Sequence, residues 1–197
     1  MKTIVTELRT EAVYSKDGER RFLLRKSWDS NLPKIAVILL CAGSAGTVEL
    51  DMTTQLVLNN ASRLGFGSVV ILNLFATTND HTLKKSTGVD RENLEVIIQE
   101  CAEAEKIVFA PGTGKTKNKL FAEVQEQTLR ALLPYGDKLY CLVDEKGGSR
   151  GLHPLSPRVR CWTLAQCLIS DFIDIPNEET MAKKKGKSKP SNKQTEE

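Results

Sequence analysis

Apolar runs of strand length alternate with stretches whose apolar residues recur at helical spacing. Lys34-Ile35-Ala36-Val37-Ile38-Leu39-Leu40, Val69 to Ala76, Lys106-Ile107-Val108-Phe109-Ala110 and Lys138 to Val143 are the runs. Continuous apolar runs of this kind suit strands buried on both faces of a parallel sheet. Between them the spacing predicts a helix from about Asp51 to Leu64, carrying Met52, Leu56 and Leu58 and ended by Gly65 or Gly67. A second helix presents Leu94, Ile97, Ile98 and Cys101 on one face, and a third runs from about Leu120 to Leu133 until Pro134 stops it. A short helix from about Thr163 to Phe172 is expected to close the fold. At the other end, Glu11 to Tyr14 and Arg21 to Arg25 flank Ser15-Lys16-Asp17-Gly18, whose Asp-Gly pair signals a hairpin. The expected fold is therefore α/β: a three-layer α/β/α sandwich with a mostly parallel central sheet and an N-terminal β-hairpin extension.

Composition changes this picture only at the ends. With 40% hydrophobic and 27% charged residues, positions 1–175 are expected to form one domain with a substantial core. Positions 176–197 hold six lysines and four glutamates among few apolar residues, and a disordered Lys-rich tail is expected there. Most of the net charge of +3 thus belongs to the tail, and nucleic-acid binding by the body would need a local patch. No apolar run nears the ~20 residues of a membrane helix, and no signal-peptide h-region follows Met1. A cytoplasmic location and no membrane partner are expected. Cys41, Cys101, Cys141, Cys161 and Cys167 include no C-x-x-C pair and read as reduced thiols, mostly in the core. Only His81 and His153 are histidines, so neither a metal nor a cofactor is expected.

Candidate chemistry sits where the strands end. Asn73 offers an acceptor and two donors, suited to the edge of a nucleobase, or else caps the following turn. The small-residue loop Cys41 to Thr47, with Gly43 and Ser44, lets backbone approach a ligand. Gly112-Thr113-Gly114-Lys115-Thr116 imitates a phosphate-binding loop, but Phe109 stands where the motif's first glycine belongs. That stretch reads as a turn, with Lys115 left as a phosphate contact. His153, held beside Pro154, either donates to a developing anion or makes a structural hydrogen bond. Arg150 and Arg158 flank it and suit phosphates.

Ile71-Leu72-Asn73 and His153-Pro154-Leu155-Ser156, in this order and with these strands between them, resemble the uracil-DNA glycosylase superfamily. There a strand-terminal Leu-Leu-Asn precedes the base-reading site and a late His-Pro-Ser-Pro-Leu-Ser loop carries the catalytic histidine. The chain is more similar still to an uncharacterised bacterial and phage family, domain of unknown function sixteen forty-three. Its members read Asn-Leu-Phe-Ala where this chain has Asn73 to Ala76 and end in His-Pro-Leu. The family's Asn-Pro-Ser is replaced here by Cys41-Ala42-Gly43-Ser44. The resemblance implies DNA or a nucleotide as partner and hydrolysis of a pyrimidine's N-glycosidic bond, in repair or anti-phage defence. It also implies that Asn73 reads the base, Phe75 stacks on it, His153 stabilises the departing base and Asp51 serves the water, with Gly43, Ser44 and Ser156 lining the pocket. A non-catalytic nucleotide or nucleic-acid binding module and a free-nucleoside-processing enzyme are the alternatives. Oligomeric state is open.

Overall fold

The computed structural model describes residues 1–80, 82–86, 88–113, 118–144, 147 and 151–175. Strands β1 (Arg9–Tyr14) and β2 (Arg21–Ser27) form the expected hairpin. Then follow β3 (Lys34–Ala42), α1 (Met52–Arg63), β4 (Ser68–Thr78), α2 (Arg91–Glu103), β5 (Lys106–Phe109), α3 (Lys119–Ala131), β6 (Leu139–Val143) and β7 (Thr163–Gln166). The seven strands make one sheet in the order β1-β2-β4-β3-β5-β6-β7.

The four apolar runs are the four parallel strands, with β3 between β4 and β5, and β6 beyond β5. The sheet as a whole is mixed, which corrects the expectation of a mostly parallel one. The hairpin is not an appendage: β2 runs antiparallel along β4, from Leu24 opposite Ile71 to Ser27 opposite Ser68. The expected helix over 163–172 is also corrected. Thr163 to Gln166 pairs antiparallel with β6, and only a 3-10 turn, Ile169–Asp171, follows. Without β7, β6 would leave a row of unpaired backbone groups, and that ladder outweighs helical spacing in so short a segment.

Side chains alternate across the strands into two clusters. Ala36, Ile38, Val70, Leu72, Ile107 and Phe109 pack with Ile97 and Cys101 of α2 and with Phe121, Val124 and Leu129 of α3. Ile35, Val37, Leu39, Val69, Ile71 and Val108 pack with Val57 and Ala61 of α1 and with Trp162. The face of α1 differs from expectation. Thr54, Val57, Asn60 and Ala61 are buried while Met52 is exposed. Asn60 explains this, because its side chain donates to Arg160 O (3.0 Å) and accepts from Trp162 N (2.9 Å). The helix thereby carries the segment after His153. Gly65, at φ +84°, turns the chain out of α1 in the left-handed conformation that suits glycine. No helix among the described residues is long and apolar enough to cross a membrane.

Candidate functional site

Chain order reverses about β3, since β4 lies on one side of it and β5 on the other. In such sheets a crevice opens outside the carboxyl ends of the strands at the switch point. A cavity of about 570 Å³ lies there, lined by the ends of β3 and β4, the loop Pro111 to Thr113, the start of α1 and the His153 loop. A larger cavity, about 710 Å³, lies near the amino ends of β3 and β4. Two of its cations are engaged in ion pairs: Arg25 with Glu11 and Glu100, and Lys34 with Glu100 and Glu103. The switch-point cavity is lined by two side chains that each hold a buried polar atom without a partner.

Asn73 is one of them. Its residue is 1% exposed, and its amide nitrogen donates to Cys41 O at 2.7 Å. A carbonyl only accepts, so this bond fixes which end of the amide is nitrogen. Oδ1 is left buried without a partner. Asn93 of α2 donates to Asn73 O at 2.9 Å and holds the strand end in place. A buried, unpaired acceptor is costly, and a ligand N–H would relieve it.

His153 lines the same cavity. The Leu155 N–H donates to its Nδ1 at 3.2 Å, which places the ring proton on Nε2. Ser156 N donates to His153 O at 2.8 Å, closing a turn, and Gly112 N donates to Gly151 O at 3.0 Å. Burial pushes the imidazole below its ordinary pKa of 6.5, against an opposing pull from the Asp51 carboxylate. The unfolded chain therefore binds this proton more tightly than the folded one. Stability from this group is complete above pH 6.5 and is lost as pH falls below it. In urea denaturation at pH 7.5 and pH 5, wild type is expected to lose more stability on acidification than His153→Gln; equal losses would refute the shift.

Asp51 is the N-cap of α1, and its Oδ1 accepts from Thr54 N at 2.7 Å. Its Oδ2 packs on Gly43, where an added Cβ would lie 2.7 Å away. Gly112 stands at φ +86°, and an added Cβ would come within 3.2 Å of His153 Cβ. Gly112→Ala is expected to cost about 1–2 kcal/mol from the left-handed backbone alone, measurable in urea, and to displace the histidine.

The cavity thus brings Gly43, Asp51, Asn73, His153 and Ser156 together. Other expected members lie elsewhere. Phe75 is buried in the α2-side cluster and borders a separate cavity of about 410 Å³. Leu74 and Phe75 both pack into this cluster, so strand alternation already fails at Phe75, at the point where the regular β3–β4 register ends with Cys41 opposite Phe75. Ser44 is exposed and is not a lining residue. Arg158 pairs with the buried carboxylate of Asp144. Lys115, Arg150 and the tail over 176–197 lie outside the described residues. No group of three or more His, Cys, Asp or Glu side chains among the described residues is placed to hold a metal.

Sequence reasoning missed Arg21, which lines the cavity although it is only 2% exposed. It had read as one member of a hairpin strand. Because β2 runs antiparallel to β4, its first residues lie beside the carboxyl end of β4, as the bridge from Arg20 to Thr77 shows.

A mixed α/β protein with a largely apolar cavity at its switch point, carrying a few convergent polar side chains, is the class this fold and site define. Residues 21–155 match the family model described as "Protein of unknown function (DUF1643)", and the chain belongs to that family. The match runs from Arg21 to Leu155 and includes Gly43, Asp51, Asn73 and His153. Neither the curated proteins nor the solved structures gave a match.

Proposed function

We propose that this protein is a nucleobase-recognising hydrolase resembling the uracil-DNA glycosylases, cleaving the N-glycosidic bond of a modified pyrimidine in DNA. The reading includes a three-layer arrangement, α1 on one face of the sheet and α2 and α3 on the other, and a cytoplasmic role in repair or anti-phage defence. One observation carries it: Asn73 and His153, remote in sequence, face one cavity with complementary free groups, an acceptor and a donor.

In this scheme the base leaves its strand and enters the cavity. Asn73 Oδ1 accepts from an N–H on the base edge. As the C1′–N bond breaks, its electron pair stays with the base, and His153 Nε2–H donates to the oxygen where that charge collects. Water attacks C1′ and passes its proton to the Asp51 carboxylate. A neutral histidine is the form that burial favours here, and it remains a donor in that form.

Binding without turnover is the second reading, and a specific observation favours it. Asp51 spends one oxygen on the helix cap and packs the other on Gly43, which restricts its access to water. The test is base release from DNA carrying a panel of modified pyrimidines, by wild type, His153→Ala, Asn73→Ala and Asp51→Asn. Asparagine retains the capping oxygen, so Asp51→Asn isolates the carboxylate's chemistry from the fold. Release that the substitutions abolish supports the hydrolase. No release, with binding still dependent on Asn73, supports the binding module.

A further inference from the structure

Arg21 has no part in the scheme above, yet it is the buried cation of the same cavity. Its guanidinium donates to Ala45 O, and its Nε is buried without a partner. Among the described residues no carboxylate lies within ion-pair distance of it, whereas Arg20 and Arg25 in the same strand region are each paired with two. Buried arginines are ordinarily paired, because removing the charge from water is costly. Burial accordingly pulls this guanidinium below its ordinary pKa, with Tyr14 and Asp51 only partly offsetting the effect. Arg21 shares the loop after β3 with Lys26, but only Arg21 lines the cavity and keeps a buried donor without a partner. Lys26 is satisfied where it stands, donating to Thr47 O at 2.9 Å and Thr10 Oγ1 at 3.0 Å. Two unsatisfied polar atoms therefore belong to side chains of one cavity: an acceptor on Asn73 and a donor on Arg21.

We infer that Arg21 binds a phosphate group, so that the ligand is a nucleotide carrying its phosphate rather than a free base or nucleoside. The inference rests on the base-recognition reading for the nucleotide and on Arg21 alone for the phosphate. A guanidinium suits the role because its donors match phosphate oxygens in a planar fork. The phosphate has two sources, a free mononucleotide or a DNA strand. Asp51 lies close enough to act electrostatically on both Arg21 and His153.

The experiment is thermal unfolding of the full chain with inorganic phosphate against chloride at matched ionic strength. It is paired with calorimetric titration of pyrimidine nucleosides, their 5′-monophosphates and a short single-stranded oligonucleotide. Ligands that bind the folded state raise Tm. Wild type is expected to gain Tm with phosphate beyond the chloride control, and to bind the monophosphate about tenfold or more tighter than the nucleoside, as charge-assisted hydrogen bonds imply. Arg21→Gln loses both increments, and Arg21→Lys, which keeps a cation, retains part of them. Tighter binding of the mononucleotide identifies a free nucleotide, and tighter binding of the oligonucleotide identifies a DNA strand; either result supports phosphate at Arg21. Equal Tm in phosphate and chloride for wild type overturns the inference with no variant needed, as does an undiminished increment in Arg21→Gln. Nucleosides binding without any phosphate effect would sink the inference and leave base recognition standing. A phosphate effect with no nucleoside or nucleotide binding would do the reverse.

Discussion

Replacing His153 by alanine is expected to slow base release about 100- to 1,000-fold, the loss typical when one donor to a developing oxyanion is removed. The geometry sets this expectation. Leu155 N–H occupies Nδ1, so the single ring proton is on Nε2. A histidine without that backbone bond would populate both tautomers and present its donor only part of the time. His153→Gln retains an N–H donor but not the imidazole's fixed position, and an intermediate rate is expected. Asn73→Ala is expected to act differently, raising KM as well as lowering kcat, because its Oδ1 meets the base before and during bond breaking. Wild-type activity should also decline on the acid side, below the ordinary histidine pKa, because a second ring proton would break the Leu155 bond. A wild-type rate that His153→Ala leaves unchanged would remove the histidine from the chemistry.

The parallel strands were legible because each is buried on both faces, and such strands are apolar throughout. Asn73 stood out for the same reason, as a polar residue inside an apolar run. His153 and Asp51 were legible as residues at element ends, where sheet topology gathers side chains. Arg21 was not, since nothing local distinguishes it from Arg20 or Arg25. Only the antiparallel pairing of β2 with β4 brings it to the cavity rim. Phe75 failed for the opposite reason. Its spacing from Asn73 implies a shared face, but Leu74 and Phe75 pack into the same cluster, so alternation is already lost at the strand's end. Strand β7 was misread because four residues at a sheet edge, only partly buried, carry too little pattern to outweigh helical spacing. Local pattern thus reported the burial of the parallel strands faithfully but not the face of α1 or the buried cations of β2, whose places depend on partners distant in sequence.

The second large effect is on stability and reaches the site through the core. Phe109→Ala is expected to destabilise the protein by about 3–5 kcal/mol, the usual cost of emptying a fully buried aromatic position. Phe109 is wholly buried at the end of β5, two positions before Pro111, where the loop that lines the cavity begins. Its ring meets Phe172 edge-on, with centroids 5.1 Å apart. Phe172 in turn closes on Gly151, where an added Cβ would lie 3.2 Å from the ring. Gly151 is the residue whose carbonyl holds Gly112, and it stands two positions before His153. One packed path therefore runs from the sheet core through two aromatic rings to the loop carrying the histidine. Phe109→Leu keeps most of the volume and is expected to cost less than half as much, whereas alanine leaves Phe172 without its edge contact. Urea denaturation gives the stability change, and the ring-proton NMR signals of His153 report whether the loop moves with it. A Phe109→Ala protein with unchanged stability would mean that neighbouring side chains collapse into the vacated space. A destabilised protein with unshifted His153 signals would show that the loop is held by its backbone bonds alone, and that the aromatic path supports the fold without positioning the site.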